Sequence, residues 1–105
     1  PYVWRDDTNP AVPAAQRPHF LIIGAGVPDG GGTALLYKTR DPKLQSWEYL
    51  GPFLTGKREE SGVFWEMPIA VDFGGGRMLF NATEAPARNE YWLGRWQNER
   101  FVPDE

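Results

Sequence analysis

The sequence predicts an all-β chain built as two four-stranded antiparallel units of the propeller-blade kind. The first observation is compositional. Five Trp, four Tyr and six Phe stand among 12 Gly and 10 Pro in 105 residues, the balance of a sheet protein with many tight connections, and no long helical periodicity accompanies it. The second is a degenerate internal repeat. Leu21-Ile22 matches Leu79-Phe80 at an offset of 58, and Trp47 matches Glu99 or Arg100 at an offset near 52. The third is the unit itself: four short strands per about 50 residues is the signature of blades, each of which needs neighbours to cover its faces. The competing architecture is an eight-stranded sandwich or barrel in which the repeat is accidental.

Taken in order, Tyr2-Val3-Trp4-Arg5-Asp6 is a short extended segment that runs into Pro10, Pro13 and Pro18, residues that cannot donate to a central ladder. His19 to Ala25 is a continuous apolar run of strand length, expected to be buried on both faces. The glycine-rich stretch from Gly26 to Gly32 turns the chain into a strand from Thr33 to Thr39, which Arg40-Asp41-Pro42 stops. Trp47 to Gly51 alternates aromatic and polar residues, as a half-exposed outer strand does. The same order then recurs: Glu66 to Phe73, a turn at Gly74-Gly75-Gly76, Arg77 to Ala82, Tyr91 to Trp96, and Arg100 to Val102. The expected organisation is a first blade over 1–54, a linker over 55–64 and a second blade over 65–105.

Eleven Lys plus Arg against 14 Asp plus Glu give a net charge of −3 with no basic block, which argues against a nucleic-acid partner. With no cysteine there is neither a disulfide framework nor a thiolate metal site, and the redox compartment stays open. No apolar run approaches the roughly 18 to 20 residues that span a bilayer, so a soluble chain without a membrane partner is expected, and secretion is compatible with it. His19 is the only histidine, so no metal site of His ligands forms from one chain, and no cofactor is expected. Gly24-Ala25-Gly26 follows a strand, but Asp29 stands where a dinucleotide fingerprint requires glycine and no helix follows. Asn81-Ala82-Thr83 is a formal glycosylation sequon on a strand and is expected to stay unmodified.

Two carboxylates stand out. In a propeller the innermost strand of each blade lines the central channel, so residues at its start converge on one end of the axis. Asp6 and Glu66 are expected to hold that position in adjacent blades. Glu66 lies among Phe64, Trp65, Met67 and Pro68, an apolar setting expected to raise its pKa and keep a proton available. Asp6, beside Arg5 and Asp7, is expected to remain ionised. General acid plus anionic partner is the pattern of glycoside hydrolysis.

At these residues the chain resembles glycoside hydrolase family 32, the invertases, inulinases and other fructan-cleaving enzymes, with families 43 and 68 further off. Trp65-Glu66-Met67-Pro68 is similar to the family's Trp-Glu-Cys-Pro segment, and Trp4-Arg5-Asp6 to its Phe-Arg-Asp-Pro segment. Ala34 to Thr39 followed by Ser46 to Pro52 is similar to its "LLYRS" and "WEYLGP" strands. The resemblance implies a section of a five-bladed retaining hydrolase acting on fructosyl or related bonds. It makes Glu66 the acid/base, Asp6 the transition-state stabiliser, and Arg5, Trp4 and Trp65 contacts to a carbohydrate substrate. The literal Arg40-Asp41-Pro42 lies 25 residues before Glu66, whereas Asp6 lies 60 residues before it, about one blade. Asp7 replaces the motif proline and Met67 the cysteine.

The family's nucleophile lies in a Trp-Met-Asn-Asp-Pro-Asn-Gly-like segment that these 105 residues do not contain. The chain by itself is therefore expected to be inactive. Trp4, Trp65 and Tyr2 also have an ordinary alternative as packing aromatics. The alternative function is a non-catalytic two-blade module that self-assembles into a carbohydrate-binding or structural homo-oligomer, since two uncovered blade faces would leave large apolar patches in water.

Overall fold

The computed structural model describes residues 1–84 and 88–105 and contains two four-stranded antiparallel sheets, each a meander of consecutive strands. Sheet 1 orders β1 (Tyr2–Arg5), β2 (His19–Gly26), β3 (Gly32–Thr39) and β4 (Glu48–Thr55). Sheet 2 orders β5 (Trp65–Gly74), β6 (Arg77–Glu84), β7 (Arg88–Gln97) and β8 (Arg100–Pro103). The connection between them carries one short helix, α1 (Arg58–Ser61). Neither sheet closes on itself, so the fold is a pair of open sheets rather than a barrel.

Turn chemistry sets the hairpins. Between β7 and β8, Asn98 and Glu99 both take positive φ, 52° and 59°, which gives the two-residue hairpin the twist its strands need. Between β5 and β6 the same work falls to Gly74, Gly75 and Gly76, with the Asp72 carboxylate accepting the Gly74 N–H at 2.7 Å. After β3, the Asp41 carboxylate accepts the N–H groups of Lys43 and Gln45, each at 3.0 Å, and so folds the loop that returns as β4. Arg40-Asp41-Pro42 is thus a turn at the end of a strand.

The sheets pack face to face over one core. Phe20, Ile22, Ala34, Leu36 and Phe53 of sheet 1 meet Trp65, Ala70, Met78, Phe80, Ala82, Trp96 and Phe101 of sheet 2, all buried. Trp96 is the keystone, its ring centroid 4.9 Å from Phe20 and 5.5 Å from Trp4, both edge to face. Phe53 lies nearly parallel to Phe101 at 5.0 Å. Each such pair adds about 0.5–1.5 kcal/mol beyond the area it buries. Because both sheets share this core, the expected blades are two layers of one packed unit, joined through residues 56–64.

Two close approaches explain why glycine stands where it does. Gly24 on β2 lies against the backbone carbonyl of Trp65, and Gly32 on β3 lies against the Trp65 indole. A side chain at either position would enter space already occupied. Trp65 is fully buried, and its Nε1–H donates to the Ser61 carbonyl at 2.9 Å, which fastens α1 to the seam.

The expectation that β2 is buried on both faces is corrected. Phe20 and Ile22 are buried, but Leu21 is only partly covered and Ile23 is 38% exposed. The period is two, because only one face of each sheet finds a partner. Sheet 2 shows the same division: Ile69, Val71, Leu93 and Val102 are exposed large apolar residues on the side away from sheet 1.

Candidate functional site

Glu66 stands at the beginning of β5, opposite Thr83 of β6. Thr83 in turn faces Asn89 of β7 and donates its hydroxyl hydrogen bond to the Asn89 side-chain oxygen at 2.8 Å. Cross-strand partners share a face, so Glu66, Thr83 and Asn89 form a polar row along the end of sheet 2, on its outer side. Directly after Glu66 the register slips between Glu66 and Ile69, and Met67 takes φ = 47°. A non-glycine residue in the left-handed region inside a β-bulge is strained, and bulges turn side chains away from the regular pleat. Here the slip buries Trp65 and Pro68 while Glu66 and Met67 face out, Met67 at 67% exposure. The apolar neighbours read from the sequence therefore do not enclose the carboxylate. Trp65 and Pro68 turn to the core, Met67 faces solvent, and Val63 and Phe64 lie against Gly26 of β2.

Asp6 is placed differently from what its sequence position suggested. It follows β1 instead of beginning it, and its N–H donates to the Pro18 carbonyl at 2.9 Å. One carboxylate oxygen accepts the Thr8 N–H at 3.0 Å and the Thr8 hydroxyl at 2.6 Å, and the other accepts the Trp96 indole N–H at 3.4 Å. Asp6 is thereby a tie between the two sheets, reinforced nearby by the Lys38–Glu99 ion pair.

The structure does not bring Asp6 and Glu66 together. The Glu66 backbone packs on Gly24, while Asp6 bonds to Pro18. Between those points β2 runs about 20 Å at roughly 3.3 Å per residue, against the about 5–9.5 Å that separates carboxyl pairs in glycosidases. The expectation that the two residues begin equivalent strands is corrected by register. Phe80 pairs with Ala70 in sheet 2 as Ile22 pairs with Tyr2 in sheet 1, so β1 matches the later part of β5 and Asp6 matches its end.

The remaining residues expected at a sugar site have other work. Trp65 is enclosed, within 4.9 Å of Trp92 and 5.7 Å of Phe80 between ring centroids, and offers no face to a ligand. Trp4 stacks on Phe20 at 5.7 Å as part of the shared core. Arg5 is exposed and binds Asp7 through Nε at 2.6 Å and Nη2 at 3.1 Å. Hydrogen bonds from Arg5, then from Arg17, hold the Asp7 carboxyl down at about 2. Thr83 and Asn89 were not singled out from the sequence. Their signal is two polar residues that strand register places beside Glu66 at one end of the sheet.

Among the described residues no group of three or more His, Cys, Asp or Glu side chains could hold a metal ion, and no helix is long and apolar enough to cross a membrane. No protein family, curated protein or solved structure matches the chain, so its functional reading rests on its residues and their geometry.

Proposed function

We propose that the chain is a two-blade section of a β-propeller glycoside hydrolase resembling the fructan-cleaving enzymes of family 32, with Glu66 as its general acid/base. The observation that carries this is the display of Glu66. It is an exposed carboxylate at the first turn into β5, aimed by a strained bulge, beside Thr83 and Asn89 and within the Trp65-Glu66-Met67-Pro68 context. Strain retained at one point of a sheet is characteristic of functional positions. The two consecutive meanders stacked face to face support the blade reading.

Asp6 lies outside the reaction centre on this reading, occupied by Thr8 and Trp96. The anionic partner that a retaining mechanism needs about 5 Å from the acid comes from a further sheet packed on the exposed side of sheet 2. The substrate class is carbohydrate, a fructoside-type glycoside, and the 105 residues alone do not turn it over.

The test is Glu66→Gln in the complete enzyme that this reading assigns the chain to. Loss of general acid catalysis lowers kcat/KM on sucrose by about 10²–10⁴-fold, while kcat/KM for a fructoside whose leaving group needs no protonation stays much closer to that of the parent, because the later step in which Glu66 would act as base does not enter kcat/KM. An equal fall on both substrates, or no fall on sucrose, removes Glu66 from the acid/base role.

A second reading is favoured by the apolar residues on both outer faces, Val3, Ile23 and Tyr49 on sheet 1 and Ile69, Val71 and Leu93 on sheet 2. In it the chain assembles with copies of itself into a carbohydrate-binding or structural oligomer. Two sheets per chain close as a dimer of four or a trimer of six, never as five, so a closed oligomer of fixed mass marks this reading, whereas a section of a five-bladed propeller associates without closing.

A further inference from the structure

Where the outer edges of the two sheets part, a cleft of about 310 Å³ opens between the end of β4, α1, β7 and β8. Its lining includes Leu54, Thr55, Lys57, Glu60, Glu90 and Trp92. Glu90 and Trp92 pair with Ala82 and Phe80, both buried, and so belong to the inner face of sheet 2. Glu66 belongs to the outer face. The cleft is therefore a separate place on the molecule.

We propose that this cleft binds one ring of a neutral saccharide, with Trp92 as the stacking floor and Glu90 as the acceptor for ring hydroxyls. The Trp92 indole packs on Phe80, centroids 5.4 Å apart and planes inclined at 27°, and on Trp65 at 4.9 Å and 46°, and the part of it left uncovered lines the cleft. A sugar ring offers the complementary surface: an apolar face of C–H groups edged by hydroxyl donors. Glu90 stands at that edge, 29% exposed, with one oxygen on Arg88 Nε at 2.9 Å, so that it is oriented and keeps a second oxygen for a hydroxyl. Lys57 and Glu60, 73% and 68% exposed and paired with each other at 3.9 Å, complete the polar side of the lining. The volume is at the lower end of the about 300–1,000 Å³ of small-ligand sites, which sets the occupant at one ring and not a chain. The proposal rests on the carbohydrate reading only for its ligand class, because none of its residues takes part in the chemistry assigned to Glu66.

The experiment is a titration of the isotopically labelled chain with sucrose and with fructose at millimolar concentration, followed by NMR. The expected result is shifts of the Trp92 indole N–H and the Glu90 backbone N–H that saturate. Glu90→Gln, a partly exposed substitution that leaves the core intact, should weaken binding about tenfold by removing a charged acceptor, and the same shifts should persist in Glu66→Gln. Absence of shifts with both sugars overturns the proposal, as do shifts that Glu90→Gln leaves unchanged or that Glu66→Gln abolishes. Failure of the acid/base role would instead appear as an unaltered rate for Glu66→Gln with the cleft shifts intact.

Discussion

Replacing Trp65 tests whether the seam between the sheets is held as described. Its side chain is fully buried, its ring lies 4.9 Å from Trp92 and 5.7 Å from Phe80, and its N–H satisfies the Ser61 carbonyl at 2.9 Å. Trp65→Ala removes the transfer free energy of the indole and leaves a cavity that the glycines around it cannot fill, since Gly24 and Gly32 have no side chains to move inward. The expected loss is about 3–5 kcal/mol. Trp65→Phe keeps much of the apolar contact but orphans a buried carbonyl, for a loss of about 1–3 kcal/mol. A domain of this size has roughly 5–15 kcal/mol in total, so the alanine variant should be near the limit of folding. Urea denaturation followed by far-UV circular dichroism at one fixed protein concentration measures both, free of the lost tryptophan fluorescence, and the m-value should be unchanged. An alanine variant within about 1 kcal/mol of the parent, or a phenylalanine variant as unstable as the alanine one, would show that Trp65 does not hold the seam in this way.

Gly24→Ala should destabilise by about 1–3 kcal/mol or more, because its new methyl meets the Trp65 backbone, which cannot rotate away as a side chain can; thermal melts should show the loss. Met67→Gly should raise stability by about 1 kcal/mol, since φ = 47° costs a residue with Cβ about that much, and an unchanged or lower melting temperature would show the bulge to be unstrained. The Asp7 carboxyl sits at about 2 against an ordinary 3.8. Its contribution to stability is therefore complete above the ordinary value and lost as pH falls toward 2, and Asp104, lowered by its hydrogen bond to Arg77, acts in the same direction. Acid unfolding of Asp7→Asn should accordingly depend less steeply on pH below 4 than that of the parent.

Much of the fold was legible because strands announce themselves by period and by turn residues. The β5–β6 turn at Gly74–Gly76 and the strands from Thr33 and from Arg77 begin within a residue of where the sequence puts them. The repeat is real at the level of topology, since each half is a four-stranded meander. The burial of β2 was misread because an unbroken apolar run does not reveal whether both faces have partners, and Ile23 has none within the chain. The candidate site was legible only in part. Glu66 was found through its local sequence, but the bulge at Met67 follows from cross-strand register, which no short motif encodes. Asp6 misled because counting residues equated two strand ends that run to opposite ends of the sheets. The difference lies in the loop from Asp7 to Pro18, which sheet 2 replaces with a glycine turn. Glu90 and Trp92 passed unnoticed since an alternating strand gives no hint of where two sheets diverge.

Each sheet exposes large apolar residues on its outer face, and on the proposed reading further sheets cover them. Sedimentation of the chain across micromolar concentrations tests it most directly. The expected mass lies above the 11.9 kDa of one chain and returns toward that value when Val71 and Leu93 are both replaced by lysine. A folded monomer at every concentration, with the cooperative unfolding of a finished domain, would contradict it.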